Sequence, residues 1–106
     1  MNVFEYLTMR GDGTARRMIP PAIERFVAED LASGGALVET LRAYAAADLS
    51  AKRAAEELHV HVNTAQYRLA RISERTGCDL RRFDDLVGLL IAARLVSSGS
   101  EGPLLP

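Results

Sequence analysis

Two amphipathic segments with only four residues between them constrain this chain more than any other feature. The first spans residues 51–58 and the second runs from Asn63 to Thr76; His59-Val60-His61-Val62 is too short to form an element of its own. It has to be a turn, so the two helices must cross in contact. Ala54 and Ala55 near the middle of the first helix are small enough for a close crossing. Leu58 at its end, Val60 in the turn, and Ala65, Leu69 and Ile72 on the second helix supply apolar contacts. Ser50 is positioned to cap the first helix. Asn63, followed by Gln66 three residues on, predicts a capping-box-like start for the second. Gly77 stands where a left-handed residue closes a helix.

The flanking sequence supplies a scaffold of the same class. Pro20 and Pro21 suit a first helical turn, where a missing N–H costs little. Ile23, Phe26, Val27 and Leu31 follow at helical spacing until Gly34-Gly35 stops the helix. A second helix over residues 36–47 carries Leu37, Val38, Leu41, Tyr44 and Ala45 on one face. The last helix, residues 82–98, is apolar around nearly its whole circumference, from Phe83 and Leu86 to Leu95 and Val96, so it must be central or covered by a partner. The expected fold is all-α: a compact multi-helix domain of about five helices containing a helix-turn-helix. Its expected limits are an N-terminal extension over residues 1–18, the domain over 19–97 with the motif at 50–76, and a flexible Ser/Gly/Pro-rich tail over 98–106. The extension contains a short apolar piece, Val3 to Leu7, and an Arg10-Gly11-Asp12 triplet of the integrin type, best explained by chance.

Composition removes several functional classes. The chain is 48% hydrophobic and 25% charged, as in an ordinary soluble domain. The longest apolar run is too short to span a bilayer, and a secretory signal pattern is lacking, so a cytoplasmic location without membrane contact is expected. With one cysteine, Cys78, no intramolecular disulfide can form. His59 and His61 make a pair without a third ligand, which does not amount to a zinc site; turn packing is the reading for His59. An enzyme is not expected, since no acid/base pair or phosphate-cradling glycine loop is present. Nor is a cofactor.

The formal net charge of −1 hides a polar distribution. Residues 49–82 hold seven cations and four anions, net +3, leaving six cations and ten anions, net −4, elsewhere. A polyanion senses local charge over a Debye length of roughly 10 Å, so the motif is the part suited to nucleic acid. Its second helix offers hydrogen-bonding and cationic side chains toward its N-terminal end: His61, Asn63, Thr64, Gln66, Tyr67, Arg68 and Arg71, with Arg75 one turn further. Gln66 suits bidentate bonding to adenine, and Thr64 suits a base edge or a thymine methyl. Asn63 and the open N–H groups of the helix start suit a phosphate. Thr64, Arg68, Arg71 and Arg75 are expected opposite the buried face. Tyr67 admits both DNA contact and packing, and Arg68 both a phosphate contact and an internal brace. Spacing alone leaves a helical hairpin with a solvated basic face as the alternative.

The stretch from Leu58 to Ile72, LHVHVNTAQYRLARI, followed by Thr76-Gly77, resembles the C-terminal helix-turn-helix of PucR-type transcriptional regulators, which include purine-catabolism and sugar-diacid regulators. The resemblance extends outward through Glu39 to Tyr44 and through Asp79-Leu80, covering about Val3 to Val96. The helix pair is also similar to the DNA-binding end of the nucleoid protein Fis. The family pattern has Arg where Val62 stands and Leu where Ala65 stands, so one cation is missing and the plug between the helices is smaller. The resemblance implies sequence-specific binding of double-stranded DNA by the output domain of a bacterial regulator, as a homodimer, with an upstream sensory domain absent from this chain. A helical interaction module that has kept the fold without the DNA contact is the alternative.

Overall fold

The computed structural model describes the backbone of residues 17–101 and the side chains of residues 17–97. The Val3–Leu7 piece and the Arg10-Gly11-Asp12 triplet lie outside the described residues, as do the last residues of the tail. Among the described residues there are five helices and no strand: α1 (Pro21–Ala32), α2 (Ala36–Ala46), α3 (Ala51–Leu58), α4 (Val62–Thr76) and α5 (Phe83–Glu101). None is long and apolar enough to cross a membrane.

Each helix ends for a local reason. α1 has Pro at its first position, as predicted. It closes through Gly34 and Gly35, both at positive φ, with the Gly35 N–H donating to the Asp30 carbonyl at 2.7 Å. The start of α2 has no cap from its own N-cap residue, Gly35. It is capped from α1 instead: the buried Asp30 carboxylate accepts from the Leu37 N–H at 3.2 Å and the Val38 N–H at 2.8 Å. A carboxylate at a helix N-terminus is stabilised by the helix dipole, which is why this one tolerates burial. The link fixes the angle between α1 and α2. After α2 the chain turns through Asp48 and Leu49, both left-handed, with φ of 55° and 64°. A left-handed leucine costs roughly 1–2 kcal/mol, which the surrounding packing must offset.

The core is shared by all of the helices. Phe26 and Val27 from α1, Val38, Leu41 and Tyr44 from α2, Ala54 from α3, Ile72 from α4 and Leu86, Leu89, Ala92, Ala93 and Val96 from α5 are buried together with Leu80. α5 packs mainly on α1 and to a lesser degree on α2, while α3 packs against both α2 and α4. α5 therefore completes the core, although Phe83 at its start remains 77% exposed. The helix runs past Ser98 to Glu101, so the first residues assigned to a flexible tail are helical.

Candidate nucleic-acid interface

The crossing of α3 and α4 is made by residues with almost no side chain. Ala54 and Ala65 are both 0% exposed and Ala55 is 3% exposed, so the smaller residue at position 65 opens no solvent-accessible gap. Ser50 caps α3 as predicted, its Oγ accepting from the Arg53 N–H at 3.1 Å. α3 ends at His59, left-handed with φ 57°, and the Val60 N–H returns to the Ala55 carbonyl at 3.0 Å. Histidine is one of the few non-glycine residues enriched in that conformation. His59 is thus a backbone turning point, exposed rather than packed into the turn.

α4 begins two residues earlier than the capping-box reading requires. Its N-cap is His61, not Asn63: the His61 Nδ1 accepts from the Asn63 N–H at 3.0 Å. Asn63 lies inside the first turn, so the reciprocal Asn63–Gln66 pair does not form. An imidazole with Nδ1 one bond from the ring attachment mimics the short oxygen acceptor of a conventional cap. Val62 is the first helical residue and is half-buried, which suits an apolar side chain there. Gly77 closes α4 at φ 74°, as predicted.

The open face of α4 is displaced from the expected one. Asn63, Gln66, Tyr67, Ala70, Arg71 and Glu74 are exposed, whereas Thr64, Arg68 and Arg75 are half-buried along one flank. The Arg68 guanidinium donates to Thr40 Oγ1 on α2 at 3.4 Å, and Thr40 is fully buried. Arg75 donates to Glu29 on α1 at 2.8 Å and lies over the Phe26 ring at 4.9 Å. The stripe expected opposite the buried face is therefore an edge. The reason is that α4 packs on α2 and α1 as well as on α3, and those helices claim the flank. Tyr67, 67% exposed, is not a core aromatic. Sequence reasoning missed the Asp30 cap, the buried Thr40 and the Glu29 partner of Arg75. Only Asp30 carried a signal, an acidic residue just ahead of a Gly-Gly stop between two helices.

The structure thus brings His61, Asn63, Gln66, Tyr67 and Arg71 to one open surface. Thr64 borders it, and Arg68 and Arg75 turn toward the scaffold. Among the described residues Arg71 has no side-chain partner, so it keeps its full hydrogen-bonding capacity. Glu74 is the acidic limit of this surface toward the C-terminal end of the helix.

Comparison with known proteins agrees with this geometry. The profile of the PucR C-terminal helix-turn-helix domain matches residues 37–95, from α2 into α5. The carbohydrate diacid regulator of Escherichia coli (strain K12) is 38% identical over 88 residues, which is 83% of this chain and 22% of that protein. The proline-responsive transcriptional activator PutR of Bacillus subtilis (strain 168) is 41% identical over 56 residues, 53% of this chain and 14% of the relative. An uncharacterised protein of Mycobacterium tuberculosis, Rv2242, is 35% identical over 85 residues, 80% of this chain and 20% of its own length. The chain therefore spans less than a quarter of the length of these relatives. No solved structure matches it significantly. The chain belongs to the PucR C-terminal helix-turn-helix family, the DNA-binding domain of a class of transcriptional regulators.

Proposed function

We propose that this domain binds double-stranded DNA sequence-specifically, as the output domain of a bacterial transcriptional regulator, with α4 entering the major groove. The observation that carries this is the open surface along α4 from its N-terminus to Arg71. Gln66 and Arg71 stand exposed on it, beside Asn63 and Tyr67, on a helix whose opposite side is locked into the core. Gln66 reads a base edge, and Arg71 contacts phosphate. Asn63 and Tyr67 flank these contacts, and Thr64 reaches the groove from the edge. Arg68 and Arg75 act at longer range, as positive charge behind the reading surface.

The regulator works in the cytoplasm, attached to an upstream sensory region, in keeping with relatives that are several times longer. It acts as a homodimer, placing two α4 helices roughly 34 Å apart on successive half-sites. The apolar outer side of α5, with Phe83 exposed and Val87 and Ile91 half-buried, is the surface suited to self-association. Selection from a random duplex pool tests the whole reading, and an enriched inverted repeat is the expected result. Titration at several salt concentrations gives the contact count, each phosphate contributing about −0.9 to the log–log slope; a slope near zero overturns the proposal.

One observation favours a helical protein-interaction module: Arg75 is already paired with an acidic residue of the same chain. That reading predicts no enrichment of any DNA sequence.

A further inference from the structure

We infer that His61 does two jobs with its two ring nitrogens: Nδ1 holds the first turn of α4, and Nε2 is thereby fixed as a neutral hydrogen-bond donor for a DNA phosphate oxygen. This rests on the DNA-binding reading above. It adds to it a residue whose protonation pattern is set by the fold before DNA arrives.

The argument begins with the cap. His61 Nδ1 lies 3.0 Å from the Asn63 backbone nitrogen and accepts its hydrogen. A nitrogen that accepts carries a lone pair and no proton. In a neutral imidazole the single ring proton must then sit on Nε2. The backbone supports the same arrangement, since the His61 carbonyl accepts from the Thr64 and Ala65 N–H groups at 2.9 and 3.2 Å, so the residue is tied to the helix start at both ends. Only one tautomer is compatible with this cap. The doubly protonated ring is incompatible too, because it would point a donor at a donor.

Position completes the case. His61 is exposed and directly precedes the open face that begins at Asn63, and Nε2 lies on the far side of the ring from the capped N–H. It stands outside the helix, before the residues aimed at base edges, where contacts to the sugar–phosphate backbone set register rather than read sequence. A phosphate oxygen is a strong acceptor for a neutral N–H, and such a contact needs no charge on the ring. His61 is accordingly a positioning residue: it orders the first turn from within and pins that turn to the duplex from without.

The test separates the two nitrogens. His61→Asn retains a short side-chain acceptor for the Asn63 N–H but lacks a donor at the reach of Nε2; His61→Ala loses both. Nitrogen-15 NMR of the unbound protein should report His61 as the Nε2-protonated tautomer. Finding the Nδ1-protonated form overturns the inference, whatever the DNA does. With duplex DNA, His61→Asn should keep the melting temperature of the wild type while weakening binding about tenfold, uniformly across sequences, as expected for loss of one hydrogen bond to a charged group. The salt slope should stay unchanged, because a neutral donor displaces no counterion. His61→Ala should bind at least as weakly and also melt lower. Wild-type affinity in His61→Asn overturns the donor role, and a slope reduced by about 0.9 overturns its neutrality. Should wild type bind no DNA, the DNA-binding reading fails and takes the phosphate contact with it, while the NMR result still decides the tautomer.

Discussion

The two halves of α4 have the same helical geometry and opposite allegiances. In the C-terminal half, Ile72 is fully buried, Arg75 is held by Glu29 and Phe26, and the Thr76 hydroxyl donates to the Ile72 carbonyl at 2.8 Å and accepts from the Cys78 N–H at 3.2 Å. In the N-terminal part, taken through Arg71, Asn63, Gln66, Tyr67 and Arg71 are exposed, only Ala65 is fully buried, and Arg68 alone donates to another helix. The contrast teaches how a surface for recognition is kept rigid: one end is packed and tied down so that the other can present most of its polar side chains outward. A preorganised helix loses less conformational freedom on binding.

The largest effect should come from breaking the packed half. Ile72→Ala removes a fully buried aliphatic side chain at the meeting of the helices and should cost about 2–5 kcal/mol of stability in urea denaturation. Tyr67→Ala, on the open half, should stay within about 0.5 kcal/mol of wild type. Comparable losses in the two variants would erase the contrast.

The two exposed-looking arginines sharpen it further. Arg75→Ala removes an ion pair and a stacking contact, both partly screened by solvent, and should cost about 1 kcal/mol of stability with little change in the salt dependence of DNA binding. Arg71→Ala should leave stability within about 0.5 kcal/mol and reduce the salt slope by about 0.9. If Arg75→Ala lowers the slope as much as Arg71→Ala, the open surface extends down the whole helix.

These arginines also mark how far sequence could be read. The helix order, the Ser50 cap, the Gly77 stop and the Ala54–Ala65 crossing follow from periodicity and local chemistry, which act within one or two turns. The allegiance of Arg75 does not, because Glu29 is 46 residues away and nothing in the pattern of α4 announces it. Periodicity located the buried face through Ala65 and Ile72. It did not reveal that α1 and α2 would cover the Thr64–Arg68–Arg75 flank, since that depends on helix crossing rather than on helix composition. The cap at His61 was missed for a different reason. Histidine is a less frequent N-cap than asparagine, and Asn63 supplied a more familiar pattern two residues later.

A smaller effect concerns the border between the halves. Glu74 is exposed on the open face, one turn beyond Arg71. A carboxylate about one Debye length from a phosphate repels it weakly. Glu74→Gln should therefore strengthen DNA binding about twofold at low salt and do nothing at high salt. An unchanged affinity at low salt would place the edge of the interface nearer the N-terminus of α4.

The smallest effect is acid-dependent and lies where the chain leaves the tied-down half. Asp79 Oδ1 accepts from the Arg81 backbone N–H at 2.9 Å and from Arg81 Nε at 3.4 Å. The backbone hydrogen bond foremost, helped by the Arg81 and Arg82 charges, holds the Asp79 carboxyl below its ordinary value of 3.8. A group whose value is lowered by folding stabilises the protein above its unfolded value, and that contribution is lost as pH falls through the folded one. The melting temperature of wild type should thus carry an Asp79 contribution that is constant near neutrality and disappears only in acid below about pH 4. Asp79→Asn should lack that acid-sensitive component and melt slightly lower at neutral pH, the two proteins converging as the carboxylate is protonated. Convergence at a pH well above the ordinary carboxylate range would show that another group titrates there. The turn joining α4 to α5 would then depend on contacts other than the Asp79–Arg81 bond.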